Sequence, residues 1–404
     1  MNRGQIYFRF LKRCALGFVV AVTAIAAFNG FINPYGVWNT PSIRGLNASK
    51  PAEKDNEMMF KAADLARTRP VNLLLGSSRV DIGLDPAHPA FAGRGDTYNL
   101  ALVGGFMRPM LKFYEDALYF APGIKRVVVG IEFATFSGNN PMPFAFDEAR
   151  LETPILDWTD TTTSLLSRDA VRDSIETIQK SRRYPDYRAY TNGASGETDM
   201  LDLARQRGMP NRMSTSVSLY LNSPTRYADF VLSDDALADF AEIVRISRER
   251  GIDLRVFMPP EHVVLLEAMK LRGLWCTFSQ WKTKIAAITP FWDFAGYNLV
   301  TTEPIDDNMK FYLDAAHFRR RVGNMVLDRI FGLQNGDIPA DFGRNVTPAN
   351  LAAWLAESAT AQQAWEAAHA DVVAWVQSRM ASGGPRANPG EAAACSTPLP
   401  MAGN

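Results

Sequence analysis

The stretch VNLLLGSSRVDIGLDP (residues 71–86) decides how the rest of the chain is read. Its apolar run stops at Gly76, two serines and an arginine follow, and the text then turns polar. A short apolar run ended by glycine reads as a buried strand. A serine just after such a strand stands where a parallel sheet opens to ligands, with backbone N–H groups near enough to hold an anion. Strand, Gly, Ser, Ser is equally an ordinary exit from a sheet. The wider pattern has to separate a presented hydroxyl from a simple turn.

That pattern is alternation. TYNLAL (97–102), RVVVGIEF (126–133), DLRVFMPP (253–260) and FWDFAG (291–296) read as further strands. Helical spacing marks RPMLKFYEDALYF (108–120), DDALADFAEIVRISRERG (234–251), which ends on a capping glycine, and a last helix over 317–331. Strands separated by helices imply a mostly parallel sheet covered by helices. The polar block 137–227 interrupts this order and is too long for a loop, so it is expected to be an inserted helical cap. Residues 345–380 carry Trp354, Trp365 and Trp375 among alanines and read as one or two amphipathic helices. They suit packing on the domain, or docking to a partner or membrane surface. The Gly, Pro, Ala and Ser composition of 381–404 predicts a disordered tail.

At the other end, Arg3, Arg9, Lys12 and Arg13 precede CALGFVVAVTAIAAFNGFI (14–32), an uncharged run of 19 residues. That is about the length a bilayer core requires. The basic cluster predicts a cytoplasmic segment 1–13, a transmembrane anchor 14–32, a connecting segment 33–70 and a globular domain 71–335 outside the cytoplasm. In a bacterium this predicts a single-pass inner-membrane protein whose globular part lies in the periplasm or at the cell surface. A signal peptide cleaved near Ala24, Ala26 and Ala27 is the competing reading. Lys plus Arg and Asp plus Glu are both 43, so there is no basic excess to draw nucleic acid. Cys14, Cys276 and Cys395 are scattered, which offers neither a disulfide framework nor the spacing of a metal site. No metal or cofactor is expected, because GSSR lacks a phosphate-loop lysine and VGG lacks the spaced glycines of a dinucleotide fold.

A second chemistry-bearing element lies in FYLDAAHFRRRVGN (311–324). Asp314 and His317 are three apart, which can set a carboxylate beside an imidazole at a helix start. The acid then fixes the tautomer while the other ring nitrogen faces a hydroxyl. Taken alone this is a capping pair; near the end of an alternating chain whose first strand ends on a serine it gains meaning. The other histidines, His88, His262 and His369, lie in a proline-flanked turn, at a helix start and in the C-terminal segment.

The motifs LLLGSSRVDIGLDPAHP, YNLALVGG, VFMPPEH and YLDAAHF, in this order, resemble the SGNH (GDSL-like) hydrolase superfamily. Within it they are similar to membrane-anchored extracytoplasmic members such as the teichoic-acid D-alanyl transfer and alginate O-acetylation proteins, as is NPYGVW (33–38) after the anchor. The resemblance covers 71–331 apart from the polar block. It implies a three-layer α/β/α fold and a catalytic triad of Ser78, Asp314 and His317. The Gly-Asp-Ser block falls on Gly76, Ser77 and Ser78, with Ser77 in the Asp position. Oxyanion donors are then the N–H groups of Ser78 and Gly104, with Gly105 adjacent. The family's Gly-x-Asn-Asp block has no clear counterpart; Asn139 and Asn140 are the nearest substitutes.

The expected function is therefore a membrane-anchored serine O-acyltransferase or esterase acting on acyl groups, acetyl in the first instance, of a cell-envelope or exported polysaccharide. The resemblance also implies a multi-pass membrane O-acyltransferase as donor partner. Two alternatives stay open: a non-catalytic scaffold or binding protein of an envelope acylation complex, favoured by the altered serine block, and a lipase or thioesterase for small acyl substrates. Other residues carry two readings each. Arg79 suits an anionic substrate group or an acidic neighbour, Glu261 and His262 suit the site or a helix start, and Trp275 and Trp281 suit sugar stacking or core packing.

Overall fold

The computed structural model describes residues 3–380 except 144, 154, 155, 335 and 337. The tail 381–404, expected to be disordered, lies outside the described residues. The chain is a mixed α/β protein that separates into two compact units. One comprises the chain up to Arg69 together with Ala145–Thr191; the other begins at Pro70 and resumes at Asn192.

The first unit opens with α1 (Arg3–Ile32), a helix long and apolar enough to cross a membrane. It is joined by α2 (Glu57–Thr68), inside the expected connecting segment, and α2 buries Met58, Met59, Phe60 and Leu65. In the second unit, β1 (Asn72–Leu75) leads to α3 (Ser78–Gly83), then β2 (Thr97–Asn99), α4 (Met107–Phe120) and β3 (Arg126–Gly130). The polar block is helical. Its α5 (Trp158–Leu166) and α6 (Arg168–Arg183) belong to the first unit, whereas α7 (Thr198–Arg207) and α8 (Met209–Asn222) belong to the second. The second unit continues through α9 (Asp234–Glu249), β4 (Asp253–Met258), α10 (Val263–Leu271), α11 (Trp275–Ile288), β5 (Phe291–Asp293), α12 (Arg320–Phe331), β6 (Arg344–Val346), α13 (Leu351–Ala368) and α14 (Ala370–Gln377).

The strands form one sheet in the order β2-β1-β3-β4-β5-β6, parallel except for the β5–β6 pair. The sequence offered no run for β6, because three residues at a sheet edge need no apolar pattern. Parallel strands require crossover connections, which supply the covering helices. Central strands β1 and β3 are accordingly continuous apolar runs: Leu73, Leu74, Leu75, Val127, Val128 and Val129 have no exposed surface. Burial of each such side chain contributes about 2 kcal/mol. Among the helices, α3 packs on α12, α4 on α9, and α10 on α8 and α14. Cys14 is free and exposed. Trp281 is fully buried among Phe133, Phe136 and Phe278, which makes it a core residue.

Candidate active site

The chain leaves β1 through Gly76, where only a residue without a side chain fits: a Cβ there would lie 2.3 Å from Val80 Cγ2. Ser77 then caps α3, its Oγ accepting from the Arg79 N–H at 3.2 Å, and Ser78 becomes the first helical residue. Neighbouring elements hold this turn. Asn99 Nδ2 donates to Val80 O at 2.9 Å, and Leu102 N–H donates to Gly76 O at 2.9 Å. The two serines consequently differ. Ser77 is buried and donates its hydroxyl to Glu132, whereas Ser78 is half-exposed and lies 2.8 Å from His317 Nε2.

Asp314 and His317 sit on a tight turn ahead of α12 rather than at its start. A bridge between Tyr312 and Phe318 closes the turn, and Leu313 N–H donates to His317 O at 2.8 Å. Asp314 Oδ1 accepts from the backbone N–H groups of Ala316 at 2.8 Å and His317 at 2.9 Å. Both of its oxygens are 3.0 Å from His317 Nδ1. Burial alone would raise the Asp314 pKa, but the adjoining imidazole and these hydrogen bonds outweigh it and bring the carboxyl down to about 2. An ionised carboxylate only accepts, so Nδ1 carries the proton and the Nε2 lone pair faces Ser78.

Two glycines let these halves meet. Gly83 ends α3 and Gly323 lies in the first turn of α12; a Cβ on Gly323 would fall 1.9 Å from Gly83 O, and one on Gly83 would fall 2.1 Å from the Phe318 ring. The helix carrying Ser78 and the segment carrying His317 are thus in backbone contact.

Backbone donors accompany the hydroxyl. The Ser78 and Gly104 N–H groups have no acceptor among the described residues, while Gly105 N–H donates to Leu102 O at 2.8 Å. The 102–105 turn abuts the serine turn, since a Cβ on Gly105 would lie 3.5 Å from Gly76 O. Asn139 and Asn140 are committed elsewhere, their amides donating to Asp229 O and, at 2.9 Å, to Ala134 O. Beyond β3 the chain presents Glu132 instead.

The sequence reading weighed Arg79 and Glu261 singly and missed Glu132, Tyr220 and Arg212. Arg79 is 1% exposed and enclosed by Glu132, at 3.1 Å, by Glu261, and by the Tyr220 hydroxyl at 2.9 Å. Burial disfavours its charge, but Glu132 and Glu261 outweigh that and hold the pKa above its ordinary value. Arg79 and Glu261 therefore form an internal ion cluster under the serine turn. From α8, Arg212 reaches the triad: Nε donates to Leu313 O at 2.8 Å and Nη2 to Asp314 Oδ2 at 3.2 Å. An arginine inside a polar helical block carries no local signal for such a role; Glu132, at the carboxyl end of a strand, did carry one.

The remaining histidines are occupied. His262 accepts from Val264 N–H through Nδ1 at 3.3 Å and donates Nε2–H to Glu303 O at 2.8 Å, and burial pushes it down to about 4. His88 Nδ1 accepts from Ala90 N–H at 3.2 Å, and exposed His369 pairs with Trp365 O at 2.9 Å. A cavity of about 420 Å³ lined by Glu267, Lys270, Glu366 and Val373 includes no triad residue. Among the described residues the hydroxyl, imidazole and carboxylate chain is thus confined to Ser78, His317 and Asp314, an arrangement suited to nucleophilic acyl chemistry. No protein-family model and no curated protein matches this chain.

Proposed function

We propose that this chain is a membrane-anchored SGNH-like serine acyltransferase or esterase, with a three-layer α/β/α catalytic domain, acting on ester-linked acyl groups of a cell-envelope or exported polysaccharide. The observation that carries the reading is the 2.8 Å approach of Ser78 Oγ to a His317 ring already bound to Asp314. His317 Nε2 takes the Ser78 proton as Oγ attacks the acyl carbonyl. The N–H groups of Ser78 and Gly104 hold the oxyanion, and Asp314 stabilises the imidazolium. The carbon–oxygen bond to the donor alcohol then breaks, and His317 returns the proton to that oxygen. Acyl-Ser78 is released by the reverse sequence: water yields the free acid, and a sugar hydroxyl yields a new ester.

One observation supports the extracytoplasmic assignment: a helix long enough to span a bilayer precedes the domain. Tethering suits a long polymer, or an acyl donor delivered by a multi-pass membrane O-acyltransferase. The commitment of Asn139 and Asn140 elsewhere favours slow turnover, since a missing oxyanion donor costs about 100-fold in rate. It also favours the second reading, a scaffold of an acylation complex.

Labelling of the purified protein with a serine-directed fluorophosphonate separates the readings. Label lost in Ser78→Ala and retained in Ser77→Ala is the expected result. Absence of label from the unaltered protein overturns the enzymatic reading in favour of the scaffold, and loss only in Ser77→Ala overturns the choice of nucleophile. The acylation state of envelope glycan in cells lacking the protein, with Ser78→Ala as rescue control, then tests the substrate.

A further inference from the structure

The helix α1 has 30 residues, about 45 Å at 1.5 Å per residue, which exceeds the roughly 20 residues a bilayer core needs. Its surface changes along its length. Leu16, Phe18, Val19, Val20 and Ile25 are exposed, whereas Val22 and Ala26 are half-buried and Asn29 is fully buried on one helical face. The elements packed on α1 are α5 and α6. Asn29 Nδ2 donates to Leu165 O at 2.8 Å, Ser174 Oγ donates to Asn29 Oδ1 at 2.9 Å, and a Cβ on Gly30 would lie 3.3 Å from Leu165 Cδ2. The carboxyl end of α5 therefore stands level with Asn29 and Gly30.

Counting about 20 residues from Arg13, the last charge of the basic cluster, places the far boundary of a hydrocarbon core near Ile32. Asn29 and Gly30 fall within about 5 Å of that boundary. The end of α5 fixed at this depth meets lipid headgroups, and the exposed face of the helix leading to it has the matching chemistry. It presents Trp158, 81% exposed, with Thr159, Thr163 and Leu166, and no charge. The one charged residue of α5, Asp160, is turned inward and paired with Arg150. Adjacent α6 instead exposes Arg168, Asp169, Arg172 and Glu176, as a helix facing water does. Tryptophan concentrates where bilayer meets water, because its ring is apolar and its N–H is not.

From this we propose that the exposed face of α5 lies in the outer headgroup boundary of the bilayer, with Trp158 as its interfacial anchor. The inference rests on α1 spanning that bilayer. Embedding at two points, α1 and α5, fixes the orientation of this unit at the membrane surface rather than leaving it on a swivelling stalk.

The test uses full-length protein in phosphatidylcholine vesicles whose acyl chains carry bromine, a contact quencher of tryptophan, either near the headgroup or at mid-chain. Three proteins are compared: unaltered, Trp158→Phe, and Trp158→Phe combined with Phe18→Trp. The emission component that Trp158→Phe removes is expected to be quenched by shallow bromine, and the component added by Phe18→Trp by mid-chain bromine. Quenching of the Phe18→Trp component without that of Trp158 overturns the proposal while leaving the anchor intact. If neither is quenched, the spanning role of α1 falls and the proposal falls with it.

Discussion

Arg212 and Asp314, 102 residues apart in the chain, meet at 3.2 Å with both side chains about nine-tenths buried, so a helix of the polar block holds the acid of the triad. Arg212 also binds Leu313 O, so one guanidinium fixes both the carboxylate and the backbone of the turn. Its removal is expected to slow fluorophosphonate labelling of Ser78 about tenfold, equivalent to about 1.4 kcal/mol. The loss in Arg212→Ala should fall on the maximal labelling rate, with the half-saturating probe concentration unchanged and Arg212→Lys recovering part of it. A change confined to probe affinity would assign Arg212 to substrate binding instead.

Gly323→Ala tests the backbone contact that joins the two halves of the site. The added methyl would stand 1.9 Å from Gly83 O, so α3 and α12 must separate. Loss of labelling, with destabilisation of about 1–3 kcal/mol, is expected from overpacking. Gly296→Ala is the control, since nothing lies within 4 Å of its Cβ position. Equal melting temperatures and labelling rates for the two variants would remove the steric argument.

Arg79→Met leaves Glu132 and Glu261 buried together without their counter-charge. Breaking such a cluster costs about 3–5 kcal/mol. The deficit should shrink when Glu132→Gln is added, because one of the two stranded carboxylates is then gone. Denaturant titration of the single and double variants measures the effect; a deficit unchanged by Glu132→Gln would mean that lost packing alone is responsible.

Asp314 has a folded pKa of about 2, below the ordinary carboxylate value, because its hydrogen bonds and the imidazole outweigh burial. Its contribution to stability is therefore present above about pH 4 and lost as pH falls through about 2. The shift corresponds to about 2 kcal/mol. Acid unfolding should be less steep in Asp314→Asn than in the unaltered protein across that window, as read by denaturant titration at successive pH values.

Glu267 behaves in the opposite sense. Burial, with Glu366 nearby, pushes it up to about 8, and Tyr297 donates to it at 2.6 Å. The folded protein keeps a proton that the unfolded chain releases near pH 4, so stability falls as pH rises from there towards 8. The slope is at most about 1.4 kcal/mol per pH unit for one proton. Glu267→Gln should flatten the melting profile between pH 6 and about 8; an unchanged slope would place the titration elsewhere.

Legibility followed locality. Apolar runs marked β1, β3 and β4 because a buried parallel strand needs side chains that repel water on both faces, whereas β6 is a short edge strand without such a requirement. Helices α4, α9 and α12 were visible from their spacing, but the start of α12 was placed three residues early because the turn bearing His317 is itself apolar. The polar block gave no sign that α5 and α6 group with α1 while α7 and α8 group with the sheet. Polar helices sort by a few buried contacts such as Asn29 with Ser174, which leave no periodic trace.

An apolar helix followed by an alternating α/β domain can be read directly from the order of residues, as can the serine pair and the Asp-x-x-His that the fold brings together. Periodicity and spacing are local, so they survive in one dimension. Tertiary structure decided that Ser78 faces His317 while Ser77 turns to Glu132, and that Arg212 and Arg79 brace the site from distant helices. Hydrogen bonds between such groups form or fail over a few tenths of an ångström. That distance is set by the close packing of Gly83 on Gly323 and of the sheet beneath them, not by any residue's neighbours in the chain.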